Sequence, residues 1–189
     1  MIKALALLLL IAGPLSEKPL RPLRAYGQCD VSPFKVEQVD YLSQPVERSI
    51  HTSEGDRSVV MEEGARILVS YKDRPFLNLK AERFARESFL KDKKTQIDGL
   101  RKVADGTPEM DTSGLKATSI AKLEVYQIQR KQMEGNVLSV LLAIDEPNRV
   151  IMTGYFLNDY PEARGFKTLD EFRLLRDSYI KTLSTCLSK

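Results

Sequence analysis

The fold is decided by Ile120–Leu157, IAKLEVYQIQRKQMEGNVLSVLLAIDEPNRVIMTGYFL. Leu123 and Val125 alternate with Glu124, Tyr126 and Ile128, the period of two that points successive side chains to opposite faces of a sheet. Gly135-Asn136 is a turn signal, and Val137–Ile144 after it is almost wholly apolar, as a central strand covered on both faces is. Asp145-Glu146-Pro147-Asn148 makes a second turn before the strand-like run Val150–Leu157. The simplest topology is an antiparallel meander with its most apolar strand in the middle.

Working outward toward the C-terminus, Asn158–Lys167 is a polar loop, and Thr168-Leu169-Asp170-Glu171 is a capping box. The helix it starts places Phe172, Leu175, Tyr179, Leu183 and Cys186 on one stripe, suited to packing on the sheet. Upstream, Asp98–Lys116 holds Gly99, Gly106, Pro108 and Gly114 and reads as a mobile connection. Before it, Leu77, Ala81, Phe84, Ala85 and Ser88 or Phe89 recur at helical spacing, which predicts a helix N-capped by Asn78 and ending near the Lys91–Lys94 cluster. Val59–Met61 and Arg66–Tyr71 read as two strands of a hairpin turning at Glu62-Glu63-Gly64. Ser43–Asp56, with the only histidine, His51, reads as a loop, and Asp30–Tyr41 as a first strand. The expected class is α+β, an antiparallel sheet of an N-terminal hairpin plus the three-stranded meander, covered by helices.

At the amino terminus Lys3 precedes the apolar run Ala4–Ala12 and Gly13-Pro14. That run is far short of the roughly 20 residues a membrane helix needs and has the length of a signal-peptide core. Ala25 and Gly27 satisfy the small-x-small rule for cleavage before Gln28, with cleavage near Ser16 as the rival and a buried helix plus a linker as the structural alternative. The expected organisation is a signal peptide and basic linker over 1–27 and one globular domain over 28–189, exported to the periplasm, with no stable transmembrane segment in the mature chain. Tyr26-Gly27-Gln28 before Cys29 departs from a lipoprotein box. Residues 28–189 would carry 25 basic and 25 acidic side chains, and this balance excludes the strong basic excess of a nucleic-acid binder. Cys29 and Cys186, an even count in an exported chain, are expected to form a disulfide.

Enzyme motifs are sparse. HExxH, GxSxG and GxxxxGK[ST] are absent, and one histidine does not assemble a multi-histidine metal site, so no cofactor and no metal is expected. Asp111-Thr112-Ser113-Gly114 reads as a turn; Ser113-Gly114-Leu115-Lys116 fits SxxK without its supporting SDN and KTG elements. The acid pairs Glu62-Glu63 and Asp145-Glu146 lie in expected turns, where acids are usually solvated. The candidates for contact with a protein partner are Tyr155, Asn158, Asp159, Tyr160 and Glu162, at the end of the last strand and in the next loop, where tyrosine is a favoured anchor.

Over Val59–Leu187 the order of hairpin, helix, long connection, meander and final helix, with turns at Gly135-Asn136 and Pro147-Asn148, resembles the PsbP-like family. That resemblance implies an α/β/α sandwich and a mostly non-catalytic accessory role. The small, exported, disulfide-stapled character also resembles, by type, the periplasmic immunity proteins that neutralise toxins of bacterial secretion systems. The function expected first is a periplasmic inhibitor or immunity protein that binds a toxin or envelope enzyme stoichiometrically. The alternatives are an envelope accessory module holding a lipid or small ligand between sheet and helices, and a hydrolase using Ser113, Lys116 or His51.

Overall fold

A computed structural model describes residues 20–52, 55–158 and 164–189. The meander is present: β7 (Leu123–Arg130), β8 (Val137–Asp145) and β9 (Val150–Leu157) follow β1 (Lys35–Leu42), β2 (Val46–Thr52), β3 (Gly55–Tyr71), β4 (Arg74–Phe84) and the short β5 (Met110–Asp111) and β6 (Thr118–Ile120). These pair antiparallel into one sheet of order β1-β3-β4-β9-β8-β7-β5, with β2 also on β3 and β6 also on β7. The helices are a single turn α1 (Arg24–Gly27), α2 (Arg86–Asp105) and α3 (Leu169–Ser188). Among the described residues no helix is long and apolar enough to cross a membrane.

The sequence reading is corrected in the N-terminal half. Val59–Met61 and Arg66–Tyr71 are not two strands but parts of the 17-residue β3, and Glu62 sits at a bulge, where the register with β4 shifts between Met61 and Glu63. The hairpin turns instead at Lys72-Asp73, whose φ of 52° and 58° match a type I′ turn built without asparagine or glycine. Residues 46–52, expected as loop, form β2, which continues past the break at Pro45 along the same edge of β3 that β1 occupies. The helix expected from Asn78 starts only at Arg86. Leu77, Leu79 and Ala81 alternate with Asn78, Lys80 and Glu82, and pairing with β3 on one side and β9 on the other holds that segment extended. Ala85 occupies the N-cap without a side-chain bond, while the Ser88 hydroxyl accepts from Val60 N–H at 2.9 Å and ties the helix start to β3. Because α2 runs on to Asp105, the first part of the supposed mobile connection, Asp98–Asp105, is helix.

Alternation along the strands divides the core between the two faces. One face packs Ile67, Leu77, Leu79, Met152 and Phe156 with Phe172, Tyr179 and Leu183 of α3. Phe76 is the hub of its aromatic cluster, with centroids 5.1–6.3 Å from those of Phe34, Tyr71, Phe156, Phe166 and Phe172. Thr168 caps α3 as expected, accepting from Glu171 N–H at 3.2 Å; the Glu171 carboxylate accepts from Lys167 N–H rather than from the cap residue itself. Cys186 near the end of α3 bonds Cys29, closing a loop of sequence separation 157, worth about 5 kcal/mol in the chain-entropy model. The other face packs Val59, Phe84, Tyr126, Ile144 and Ile151 with Phe89, Leu100 and Ala104 of α2.

The folded body includes residues 20–27, which the sequence reading assigns to the leader and linker. Leu23 and Tyr26 are buried in the α3-side core. The Tyr26 hydroxyl donates to Asp145 at 2.6 Å, Arg21 N–H donates to the Asn148 side chain at 2.8 Å, and Asn148 in turn donates to both Asp145 oxygens. Asp145 is therefore no solvated turn acid: it is 2% exposed and holds the N-terminal segment against the β8–β9 turn. Burial, reinforced by the Asp145 carboxylate, pushes the Tyr26 phenol far above its ordinary range, so it remains a donor.

Candidate functional site

α2 covers only part of its face. The register sets residues from five strands in one row, Gln38, Leu68, Asn78, Tyr155 and Val140; Val140 packs on the α2-side core, and the other four are exposed. Leu68 and Tyr155 stand 37% and 43% exposed in this row, and Leu42, on the same face of β1, is 45% exposed. Their alternation partners Ile67, Ala81 and Phe156 are buried on the α3 side, so the exposure belongs to the face and not to loose strands.

The next row, toward α2, carries charge: Asp40, Arg66 and Lys80, followed by Thr153. Beside it a cleft of about 410 Å³ opens over Asp40, Leu42, Arg48, Met61, Arg66 and Glu82. Glu82 is 5% exposed, and one of its oxygens takes both Arg48 at 3.0 Å and Lys80 at 2.9 Å, the pairing a buried carboxylate requires. Deeper, Asp92 of α2 is 1% exposed, and among the described residues its Oδ1 accepts no hydrogen bond and Arg48 Nε donates none. Burial raises the Asp92 carboxyl above the usual range; Arg48 pulls against this, Glu82 adds to it, and Gln96 and Lys80 pull it back in part. Arg66 is exposed and makes no ion pair among the described residues.

Of the residues singled out from sequence, Tyr155 lies in the middle of this surface. Asn158 does not: it is 4% exposed, donates to the carbonyls of Gly135 at 2.9 Å and Met133 at 3.4 Å, and accepts from Arg164 at 2.6 Å, which locks the β7–β8 turn to the end of β9. Asp159, Tyr160 and Glu162 lie outside the described residues. Lys93 belongs to the first half of α2, not to its end, where its positive charge would favour the dipole. It is held instead by Glu124 at 2.6 Å and Glu146 at 3.0 Å. Glu62 pairs with Arg149 and Glu63 with Arg83, both at 3.1 Å.

Ser113 opens a 3₁₀ turn, Ser113–Leu115, that Lys116 follows and that lies along β7; Ser113 N–H donates to the Asp111 carboxylate at 2.9 Å, a turn as expected. His51 lies on β2, five strand steps away across the sheet, roughly 24 Å at the spacing of paired strands, so the geometry does not bring it to Ser113 as a base. Among the described residues no group of three or more His, Cys, Asp or Glu could hold a metal ion. What sequence reasoning missed is the partly uncovered face itself. Its signal was present in the polar members of the alternating β4 pattern, Asn78 and Lys80, once that segment is taken as strand. Set against known proteins, the chain matches no family model, no curated protein and no solved structure.

Proposed function

We propose that this is an exported, non-catalytic binding protein whose partner is another protein, gripped by the uncovered sheet face and most concretely neutralised there, as an inhibitor or immunity protein neutralises a toxin or envelope enzyme. The observation that carries the reading is the row through Leu68 and Tyr155, two large side chains left partly exposed in the middle of a five-strand row. A tyrosine presented this way binds with little further ordering, which is why the residue type concentrates at interface centres. Arg66 beside the row favours a partner that offers a carboxylate next to an apolar anchor. The disulfide supports an oxidising compartment such as the periplasm. The placement of α2 and α3 side chains in separate clusters either side of one sheet supports a three-layer reading of the fold.

The test uses the oxidised full chain, immobilised and challenged with envelope extracts of the source organism and its competitors. A one-to-one complex is expected with an enzyme or toxin whose own activity falls on stoichiometric addition. Tyr155→Asp and Leu68→Asp should each weaken it by about ten-fold or more. A complex indifferent to both changes removes this face from the account.

A further inference from the structure

Ala25 and Gly27 match the small-x-small rule for removal of a leader before Gln28, but the fold gives Gly27 another reason to be small. A Cβ there would stand 2.9 Å from the Tyr41 hydroxyl and 3.0 Å from both γ-methyls of Val39. The backbone of α1 sits this close to β1 because the residue has no side chain. The residues before it are committed to the fold as well. Leu23 and Tyr26 are 3% and 2% exposed in the α3-side core. Arg21 N–H donates to the Asn148 side chain, the Arg21 carbonyl accepts from buried Arg83, and the Tyr26 hydroxyl donates to Asp145. A cut before Gln28 would take two large side chains from the core and strip Asp145 of its tyrosine donor and Arg83 of its carbonyl acceptor.

Counting back from Leu20, Pro19, Lys18 and Glu17 are not small, and Ser16 is the first residue that suits the position before a cut. Lys3, the apolar run Ala4–Ala12 and Ser16 keep a leader's order of basic start, apolar core and small residue. Pro14 makes the small-x-small match poorer there than at Gly27, and it is the packing of residues 20–27 that decides between the two. We propose that the leader is cut between Ser16 and Glu17, and that Ala25-Tyr26-Gly27 is a packing feature and no processing site. The inference rests on the exported reading. Water breaks the Ser16–Glu17 peptide bond in the active site of the exporting cell's leader peptidase, leaving a carboxylate on Ser16 and an amine on Glu17. The exported chain keeps Lys18, Arg21 and Arg24 and is weakly basic, not balanced.

The full chain is expressed from Met1 in a bacterium with a periplasm, and its fractions are read by intact mass and N-terminal sequencing. A periplasmic chain that starts at Glu17 and carries the Cys29–Cys186 bond is expected. Ser16→Arg should abolish that cut, whereas Gly27→Val should leave it in place. Both variants are read on the denatured chain after brief labelling, so the result stands even where Gly27→Val folds poorly. A periplasmic chain starting at Gln28 overturns the inference and leaves the exported reading intact. So does a Gly27→Val chain left uncut while Ser16→Arg is processed. An uncut natural chain in the cytoplasm overturns the exported reading, and this inference with it.

Discussion

The two faces of the sheet are built to different rules. The α3 face is closed by an aromatic cluster around Phe76, a capped helix and a disulfide, and most of what it buries is apolar. The α2 face buries charge: Asp92 and Glu82 lie under or beside the helix with Arg48 and Lys80 drawn toward them, and farther out Leu68 and Tyr155 stand in water. Apolar burial stabilises a fold, whereas buried charge must be compensated and returns little net stability. The comparison teaches that the α3 face carries the stability, which leaves the α2 face free to carry contact.

The sharpest way to break that division is Phe76→Ala, which should cost about 4 kcal/mol by urea denaturation. A loss below about 1 kcal/mol would mean that the cluster is not the keystone. Next, reduction or Cys29→Ala should cost roughly 2–5 kcal/mol, read as a lower denaturation midpoint in dithiothreitol. Tyr26→Phe, which takes the hydroxyl from buried Asp145, should cost about 2 kcal/mol. If that variant is as stable as the natural chain, residues 20–27 are an attached strap and not part of the core.

On the α2 face the expected effects are smaller and one changes sign. Because the folded-state value of Asp92 is raised, the fold prefers the neutral acid. Its stabilising share is fully present below the ordinary aspartate value of about 3.9 and is lost as pH rises through the raised value. Asp92→Asn should therefore raise the thermal midpoint at pH 7, and the gain should shrink as pH falls toward that ordinary value. A lower midpoint at pH 7 would show Asp92 to be a stabilising partner of Arg48. Tyr155→Asp should leave stability within about 0.5 kcal/mol while it weakens partner binding about ten-fold or more.

The contrast also explains what could be read in advance. The meander and α3 were legible because each carried several agreeing local signals: alternation in Leu123–Ile128, the Gly135-Asn136 turn, the capping box at Thr168 and the stripe through Phe172 and Tyr179. The β3–β4 hairpin was not, since Lys72-Asp73 lacks the glycine or asparagine that marks a two-residue turn, while Glu62-Glu63-Gly64, which has a glycine, is a bulge. Leu77, Ala81 and Phe84 satisfy a helical spacing and Leu77, Leu79 and Ala81 an alternating one. Of the candidate partner residues, the aromatic signal led to Tyr155, but the same loop-and-polar logic led to Asn158, which is buried and committed to the chain's own carbonyls.

By itself, then, the sequence determined the class, the meander, the final helix and the pairing of its two cysteines, because those follow from periods and caps within a few residues and from an even thiol count. Only the tertiary structure decided that Arg74–Phe84 is a strand, since its extended form depends on partners on both sides that are distant in sequence. Only it placed Tyr26 on Asp145 across 119 residues and left Tyr155 outside the cover of α2. Burial of that kind is a property of what lies opposite a residue, and no local pattern encodes it.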